Sequence, residues 1–300
     1  MQDTRLSKSI PPTIIISDET RSVLKRWTTN DYYTSDDLPN GLNMSECPYL
    51  VDVSAFGNIK WLDLANCENI TDVSALGNNK YLDLHGCTRI TDVSMLGDVT
   101  ELTLSWCTGI TDVSMLGNVI NLNLRSCAGI TDVSALGRVK KLSIAFCQGV
   151  TDISALGSVE DLNISGCRNI TDISALRNVK RLSMQGCRGI TDISVLTNIR
   201  YLDIQNCPDI TDISALINVQ FLNMPGCTGI KDVSALVNVR HLNMQSCTGV
   251  KDVSMLGHVE NLTLCGCTGI TDVSTLGSVK SLWCSKKLKE TIDIRELFNE

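Results

Sequence analysis

The stretch CTGITDVSML at residues 107–116 is followed twenty residues later by CAGITDVSAL at residues 127–136, and then by CQGVTDISAL at residues 147–156. Alignment at this period gives twelve units without insertion or deletion, from Gly41–Lys60 to Asn261–Lys280, and the start of a thirteenth at Ser281. Positions within a unit are numbered as registers one to twenty, so register one contains residues 41, 61, 81 and so on. A fixed period of this length indicates a repeat protein.

Each unit combines two apolar patterns. Its first residues alternate between apolar and polar, as in YLDL at 81–84, which predicts a short, half-buried strand. Registers ten, thirteen, sixteen and nineteen are then apolar, and this three-residue spacing predicts a tight, 3₁₀-like return. Seven registers face inward in this interpretation. A single unit cannot cover its own apolar face, so the units are expected to stack as coils of one right-handed solenoid.

The unit resembles a known repeat. VKKLSIAFCQGV at Val139–Val150 resembles a leucine-rich repeat with Cys where many such repeats have Asn. The pattern C-x-x-I-T-D resembles the cysteine-containing repeats of F-box/leucine-rich-repeat ubiquitin-ligase receptors, and ITDVSALGN is similar to internalin-type and phosphatase-regulator-type repeats. Uniform short units of this kind occur in large DNA viruses of amoebae, whose proteins this chain resembles. The resemblance covers residues 41–284. It implies an α/β leucine-rich-repeat arc with a parallel β-sheet on the concave face and short 3₁₀-like or irregular returns on the convex face.

The two ends of the chain depart from the repeat. Residues 1–40 are predicted to be an N-terminal capping segment and residues 285–300 a C-terminal capping helix, because the end coils of an array need a cover. DDLPNGL at 36–42 contains the Leu-Pro that opens many F-boxes, but the repeats begin at once and no three-helix apolar pattern follows. The resemblance to ligase receptors is therefore confined to the repeats.

Composition restricts the classes of partner. The net charge is −7, and a nucleic-acid groove needs a clustered excess of Lys and Arg, so no nucleic-acid partner is expected. The longest apolar run near the N-terminus, TIIIS at 13–17, is too short for a signal peptide or a membrane span. The sequence thus predicts a monomer without membrane contact, located in the cytoplasm, or in the host cytoplasm if the protein is viral.

Cysteine occupies register seven in every unit, which accounts for twelve of the fourteen cysteines. These residues are predicted to be reduced, buried thiols that bond a carbonyl of a neighbouring turn. Adjacent register-seven Cα atoms, about 5 Å apart, lie within disulfide range, but pairing would break the identical stacking. Such a column favours a reducing compartment. Cys265 is predicted to face outward, and Cys267 and Cys284 to be core residues.

Catalysis and metal binding are not expected. Asp at register twelve precedes [VI]-S in every unit, and most units continue with [AM]-L, which favours a helix-capping carboxylate over a cation ligand. The three histidines, His85, His241 and His258, lie in different units, so no nucleophile–base pair is indicated. The chain is accordingly predicted to be non-enzymatic, without a cofactor or a metal.

Candidate binding residues lie on the strands, whose registers one, three and five are predicted to be exposed. Register one is the variable column, and two groups of aromatic and imidazole side chains fall on it. The predicted partner-binding residues are Trp61, Tyr81, Tyr201, Phe221 and His241. Exposed aromatics of this kind mark interaction surfaces. The alternative, that they only stabilise neighbouring strands by roughly 0.2–1 kcal/mol per pair, remains open.

A second candidate patch lies on the returns. Register seventeen is Gly except in four consecutive units, where it is Arg177, Thr197, Ile217 and Val237. An ordinary backbone is predicted there, with Ile217 and Val237 forming a small exposed apolar spot near Lys231 and Lys251.

Three functions are compatible with these patterns. The first is a protein–protein interaction scaffold that binds a partner through the exposed strand face. The alternatives are a substrate-recognition subunit of an SCF-type ubiquitin ligase and an internalin-like surface adhesin. The lack of a signal peptide and the thiol column argue against the adhesin.

Overall fold

The computed structural model divides into two compact units, Met1–Ser143 and Ile144–Glu300, which we call the first and second unit; the twenty-residue repeats are called coils from here on. The structure describes residues 41–285. The predicted capping segments at 1–40 and 285–300 lie outside the described residues, apart from Ser285.

The described part of the first unit contains six strands of three residues, each at registers one to three. They are β1 (Gly41–Asn43), β2 (Trp61–Asp63), β3 (Tyr81–Asp83), β4 (Glu101–Thr103), β5 (Asn121–Asn123) and β6 (Lys141–Ser143). Each strand pairs in parallel with the next, and the register is such that Leu62 lies beside Leu82 and Leu82 beside Leu102. The twenty-residue period thus places equivalent residues side by side.

The described part of the second unit contains seven such strands, with the same parallel pairing. They are β7 (Asp161–Asn163), β8 (Arg181–Ser183), β9 (Tyr201–Asp203), β10 (Phe221–Asn223), β11 (His241–Asn243), β12 (Asn261–Thr263) and β13 (Ser281–Trp283).

Short 3₁₀ helices form most of the returns. In the first unit they span Ser54–Phe56, Ser74–Leu76, Ser94–Leu96, Ser114–Asn118 and Ser134–Arg138, and in the second Ser154–Ser158, Ser254–His258 and Ser274–Leu276. The coils with Arg177, Thr197, Ile217 and Val237 at register seventeen return through turns instead. The prediction of short 3₁₀-like or irregular returns is confirmed.

Stacking buries the seven predicted registers in every complete described coil except the first, where Cys47 is half-buried. In the coil that begins at Tyr81 the buried residues are Leu82, Leu84, Cys87, Ile90, Val93, Leu96 and Val99, each at most 3% exposed. Burying one Leu, Ile or Val side chain contributes roughly 1.5–3 kcal/mol, and no coil alone could enclose these side chains. Each unit therefore has the predicted architecture, a parallel sheet on one face of a solenoid and short returns on the other. Two predictions are wrong: Cys47 and Cys284, both expected to be buried, are only half-buried.

Glycine at register seventeen is required by close packing between coils. The φ angle of Gly77 is −61°, an ordinary right-handed value. A Cβ atom added at Gly157 would lie 2.7 Å from the carbonyl oxygen of Ala175 in the next coil, and one added at Gly77 would overlap the carbonyl oxygen of Met95 more closely still. Larger side chains occupy this register only in the four coils that return through turns.

Register six, by contrast, is left-handed in every described coil. The residues are Glu46, Asn66, Gly86, Trp106, Ser126, Phe146, Gly166, Gly186, Asn206, Gly226, Ser246 and Gly266. Gly and Asn are common in this conformation, so their frequency at register six was the available signal, which our sequence analysis missed. Trp106 and Phe146 are bulky residues held at φ of 64° and 62°. The ring of Phe146 lies over Gly166, where an added Cβ would be 2.6 Å from its Cδ1 atom.

Candidate functional site

The register-one side chains of β7–β12 form a continuous row, which we call the unit-two ladder. Its members are Asp161, Arg181, Tyr201, Phe221, His241 and Asn261. The parallel pairing places each residue beside the equivalent residue of the next strand, as for Tyr201, Phe221 and His241. The structure thus brings three of the predicted partner-binding residues together.

The centre of the ladder is a stack of three rings. The ring centroids of Tyr201 and Phe221 are 5.8 Å apart, with planes inclined by 25°. Those of Phe221 and His241 are 4.1 Å apart, with planes inclined by 29°. Phe221 nevertheless remains 44% exposed. Partial burial raises the pKa of the Tyr201 phenol, chiefly through desolvation.

Polar contacts fix both ends of the stack. The Arg181 guanidinium lies 4.3 Å from the centroid of the Tyr201 ring, and its Nε donates to Asp161 Oδ2 at 3.2 Å. At the other end Asn261 Nδ2 lies 2.7 Å from His241 Nδ1. Each ladder residue therefore contacts the next one, which restricts the rotamers of all six.

Register three, and register five in part, are less exposed than the sequence predicted. Register three is half-buried in most coils, and Asp203 is only 7% exposed. Asp203 Oδ2 accepts a hydrogen bond from Gln185 Nε2 at 2.9 Å, and Asn243 Nδ2 donates to Asn223 Oδ1 at 2.9 Å. At register five, Ser105, Ala145 and Ser165 are buried, whereas Arg125, Gln185 and Gln245 are exposed as predicted. Register three is less exposed than predicted because its side chains bond laterally to neighbouring strands.

A row of cations borders the unit-two ladder at register twenty. Lys180, Arg200 and Arg240 are exposed, and each directly precedes a ladder residue. Backbone bonds hold this register beside the ladder: Tyr201 N donates to Lys180 O at 3.1 Å. Within residues 41–285 the three side chains form no ion pair. These cations lie outside the strand registers from which the binding residues were predicted.

The first unit contains the other aromatic pair. Trp61 and Tyr81 are 38% and 42% exposed and lie directly opposite each other on β2 and β3. The Trp61 ring lies over Gly41, where an added Cβ would be 3.0 Å from Cε3. Asp63 and Asp83 accompany them at register three of the same strands, and the exposed Lys60 and Lys80 directly precede them at register twenty, so charges of both signs border the pair.

On the return face, Ile217 and Val237 are 48% and 47% exposed, and neither has a positive φ angle. Asn238 Nδ2 donates to the carbonyl of Ile217 at 2.7 Å, so the next coil bonds this turn. Lys231 and Lys251 are also exposed. The backbone prediction is confirmed, while the binding role of this patch stays a prediction.

The register-seven thiols act as donors inside each unit. Cys87 Sγ donates to Leu64 O at 3.2 Å and Cys107 Sγ to Leu84 O at 3.0 Å, and ten register-seven cysteines make this bond to a register-four carbonyl of the preceding coil. Burial raises the pKa of the Cys87 thiol to about 12. Such thiols are poor nucleophiles and poor metal ligands.

The register-twelve carboxylates begin the returns. Asp112 Oδ1 accepts a hydrogen bond from Ser114 N at 2.8 Å, and the same contact recurs in all twelve coils. These bonds lower the pKa of Asp112. The predicted bond from a backbone N–H to the carboxylate is confirmed, but it forms an Asx turn. The N-cap of the following 3₁₀ helix is Val113, which makes no side-chain capping bond, so Asp112 is not the helix N-cap.

Residues 41–285 contain no group of three or more His, Cys, Asp or Glu placed to hold a metal ion. None of the helices in that range has the length and apolar composition needed to cross a membrane.

Known proteins resemble this chain in structure. No protein-family model matches it, and no curated protein matches it in sequence. An internalin, InlF, from Listeria monocytogenes superposes with a TM-score of 0.66 at 22% identity, covering 90% of this chain and 89% of that one. The functional domain of InlJ from the same species, which includes a cysteine ladder, gives 0.46 at 20% identity, covering 82% and 67%. A leucine-rich-repeat protein of Leptospira interrogans gives 0.44 at 15% identity, covering 82% and 78%. The chain has the leucine-rich-repeat fold.

Proposed function

We propose that this chain is a non-enzymatic protein-interaction scaffold that binds its partner through the unit-two ladder. The observation that supports this most directly is Phe221, which is stacked between Tyr201 and His241 yet remains 44% exposed. Large aromatics on a solvated surface are enriched among the residues that dominate binding energy.

The fixed geometry of the ladder favours binding. A side chain that loses rotamer freedom on association costs about 0.5–1.5 kcal/mol. The contacts of Arg181 with Tyr201 and of Asn261 with His241 hold these side chains in place before any partner arrives. A partner would therefore meet a rigid apolar surface with polar ends, and the ordering cost would be low.

Trp61 and Tyr81 form a separate candidate surface in the first unit. Its rings are bordered by Asp63 and Asp83 at register three and by Lys60 and Lys80 at register twenty. Ile217, Val237, Lys231 and Lys251 remain a third candidate on the return face.

The buried thiol column supports a reducing compartment, and we propose a cytoplasmic location on that ground. No observation on residues 41–285 favours a ubiquitin-ligase subunit or a surface adhesin over a scaffold. The links to F-box proteins and to viruses of amoebae remain predictions from the repeat resemblance.

The test compares two matched double variants in the same coils. One removes rings from the strand face (Tyr201→Ser with Phe221→Ser), and the other removes apolar side chains of similar exposure from the return face (Ile217→Ser with Val237→Ser). A third variant, Trp61→Ser with Tyr81→Ser, examines the first unit. Each tagged protein is used for affinity capture from cell lysate, and circular dichroism confirms folding.

A partner retained by wild type and by the return-face variant but lost from the strand-face variant would support the proposal. Equal capture by wild type and the Tyr201/Phe221 variant would overturn it and leave those rings a structural role. If capture were lost only from the Ile217/Val237 variant or only from the Trp61/Tyr81 variant, the binding surface would be assigned to that patch.

A further inference from the structure

The cations at register twenty suggest the chemistry of the partner. We propose that the bound segment is an extended acidic peptide that crosses β8–β11, with its carboxylates on Lys180, Arg200 and Arg240 and an apolar side chain on Phe221. This inference rests on the function proposed above and specifies its ligand.

The charge of this surface is unbalanced at its centre. Arg181 is matched by Asp161, and Lys280 Nζ lies 3.7 Å from Glu260 Oε2. The register-twenty cations between these pairs have no acidic partner within the described residues. The whole chain carries a net charge of −7, so this local positive excess opposes the overall balance. A complementary partner is therefore anionic.

The single carboxylate at the centre of the surface is already bonded. Asp203 is 7% exposed, Oδ2 accepts from Gln185 Nε2 at 2.9 Å, and Oδ1 accepts from Gln205 N at 3.1 Å. The two hydrogen bonds partly compensate the negative charge of Asp203. Asp203 therefore repels a carboxylate of the bound peptide less than an exposed carboxylate would. The Gln185 and Gln205 amides offer hydrogen bonds that a peptide backbone can use.

The spacing of the cations suits an extended chain. Neighbouring coils are about 4.8 Å apart at their strands. The backbones at Lys180 and Arg200 are therefore separated by one coil, about 4.8 Å, and those at Arg200 and Arg240 by two coils, about 10 Å. An extended peptide rises about 3.3 Å per residue, so acidic residues about three positions apart would span the longer interval.

A single-stranded nucleic acid fits the same surface less well. Bases bind such surfaces by stacking on free aromatic faces. The facing sides of Tyr201, Phe221 and His241 are occupied by one another. A continuous phosphate backbone would also meet Glu160 and Glu260, which border the cations at register twenty. Short acidic segments avoid both conflicts.

The experiment selects peptides from a random phage-displayed library on the immobilised full chain. Selected sequences are synthesised, and their affinities are measured for wild type and three variants. The charge variant is Lys180→Glu/Arg200→Glu/Arg240→Glu. Its matched control, Lys60→Glu/Lys80→Glu/Lys140→Glu, makes the same charge change at register twenty of the first unit. The third variant is Tyr201→Ser/Phe221→Ser.

We expect Asp and Glu to be enriched in the selected peptides. The charge variant should weaken binding by about tenfold or more, the matched control by less than about twofold, and added salt should weaken it progressively. Binding should also be lost from the Tyr201/Phe221 variant.

The remaining outcomes separate the two proposals. Peptides without acidic enrichment, retained by the charge variant but lost from the Tyr201/Phe221 variant, would overturn the acidic-peptide inference and leave the binding surface intact. Selected peptides that bind the Tyr201/Phe221 variant normally, or a library that yields no binders, would overturn both. Binding of a fluorescein-labelled oligothymidylate that depends on the three cations would replace the peptide with a nucleic acid.

Discussion

The imidazole of His241 lies against the ring of Phe221, with centroids 4.1 Å apart and planes inclined by 29°. Aromatic pairs in this arrangement contribute roughly 0.5–1.5 kcal/mol beyond their buried area. We therefore expect a double-mutant cycle of Phe221→Ala and His241→Ala to give a coupling free energy of that size, measured by urea denaturation. Asn121→Ala with Lys141→Ala, at the same register of β5 and β6, is the control cycle and should show no coupling. A Phe221–His241 coupling near zero would contradict the stacking.

Close packing, not backbone conformation, explains glycine at register seventeen. Gly77→Ala should destabilise the chain by about 1–3 kcal/mol, because the new Cβ would overlap the carbonyl oxygen of Met95. Gly277→Ala has a matching backbone and no described atom within 4 Å, so it should be neutral or stabilise by about 0.4–1 kcal/mol. Urea denaturation of both variants measures the contrast. An equal loss of stability in Gly77→Ala and Gly277→Ala would indicate that glycine is required for its backbone conformation instead.

The fold was predictable because the same pattern of apolar residues occurs in all twelve repeats, so each repeat supports the same structure. Leucine at register two and the three-residue apolar spacing indicated which registers are buried. Prediction was weaker where two coils meet. The overlap that a Cβ atom at residue 77 would make with the carbonyl oxygen of Met95 depends on the distance between stacked coils, which the sequence of one repeat does not specify. Register six differed, since its Gly and Asn residues did carry the signal for a left-handed backbone.

The candidate site was predicted only in part. Register one could be recognised as variable and exposed, and its parallel pairing brings Tyr201, Phe221 and His241 together. The sequence could not show that Arg181 stacks on Tyr201, nor that lateral hydrogen bonds bury Asp203, because both depend on rotamers. The cations at register twenty, such as Arg200, were visible in the sequence, but only the structure places them beside the ladder.

Acid should weaken the Asx turns. Ser114 N–H donates to Asp112, which holds the pKa of this carboxyl below its ordinary value of 3.8, and the same direction holds for nine other register-twelve residues. A lowered folded-state pKa stabilises the fold above the unfolded pKa, and this contribution is lost as pH falls through the folded pKa. Urea midpoints should thus fall as pH drops below about 4.

A pair of substitutions at one position checks the cause. Asp112→Asn retains an acceptor oxygen without a titrating group and should reduce the pH dependence, whereas Asp112→Ala should lower the midpoint at neutral pH as well. Midpoints that are independent of pH in the wild type would refute the explanation.

Thiol reactivity should follow burial. Register-seven thiols such as Cys87 and Cys107 are fully buried, and their raised pKa leaves almost no thiolate at neutral pH. Cys265 is half-buried, so Ellman's reagent should react with it readily in the native protein. Cys47 and Cys284 are also half-buried and should contribute to the fast phase. Cys265→Ser should reduce the amplitude of that phase, Cys107→Ser should leave it unchanged, and the buried register-seven thiols from Cys67 to Cys267 should react only on unfolding. Fast native reaction of the whole column would contradict this burial.

Asn79 is a polar residue in an apolar column, and its replacement should stabilise the chain. The residue is 1% exposed, and its Oδ1 atom has no partner among the described residues. Its Nδ2 donates to the carbonyls of Phe56 and Ile59, but the Phe56 carbonyl also accepts from Ile59 N at 3.1 Å. Asn79→Val therefore removes a buried, unpaired acceptor and should raise the free energy of unfolding by about 1–3 kcal/mol.

The reciprocal change in the next coil is the control. Val99 occupies the same register and is also 1% exposed. Val99→Asn should lower the free energy of unfolding, because it introduces the same buried amide. If Asn79→Val instead lowered the urea midpoint, the carbonyl of Ile59 would depend on the Asn79 amide, and that hydrogen bond would outweigh the cost of the unpaired oxygen.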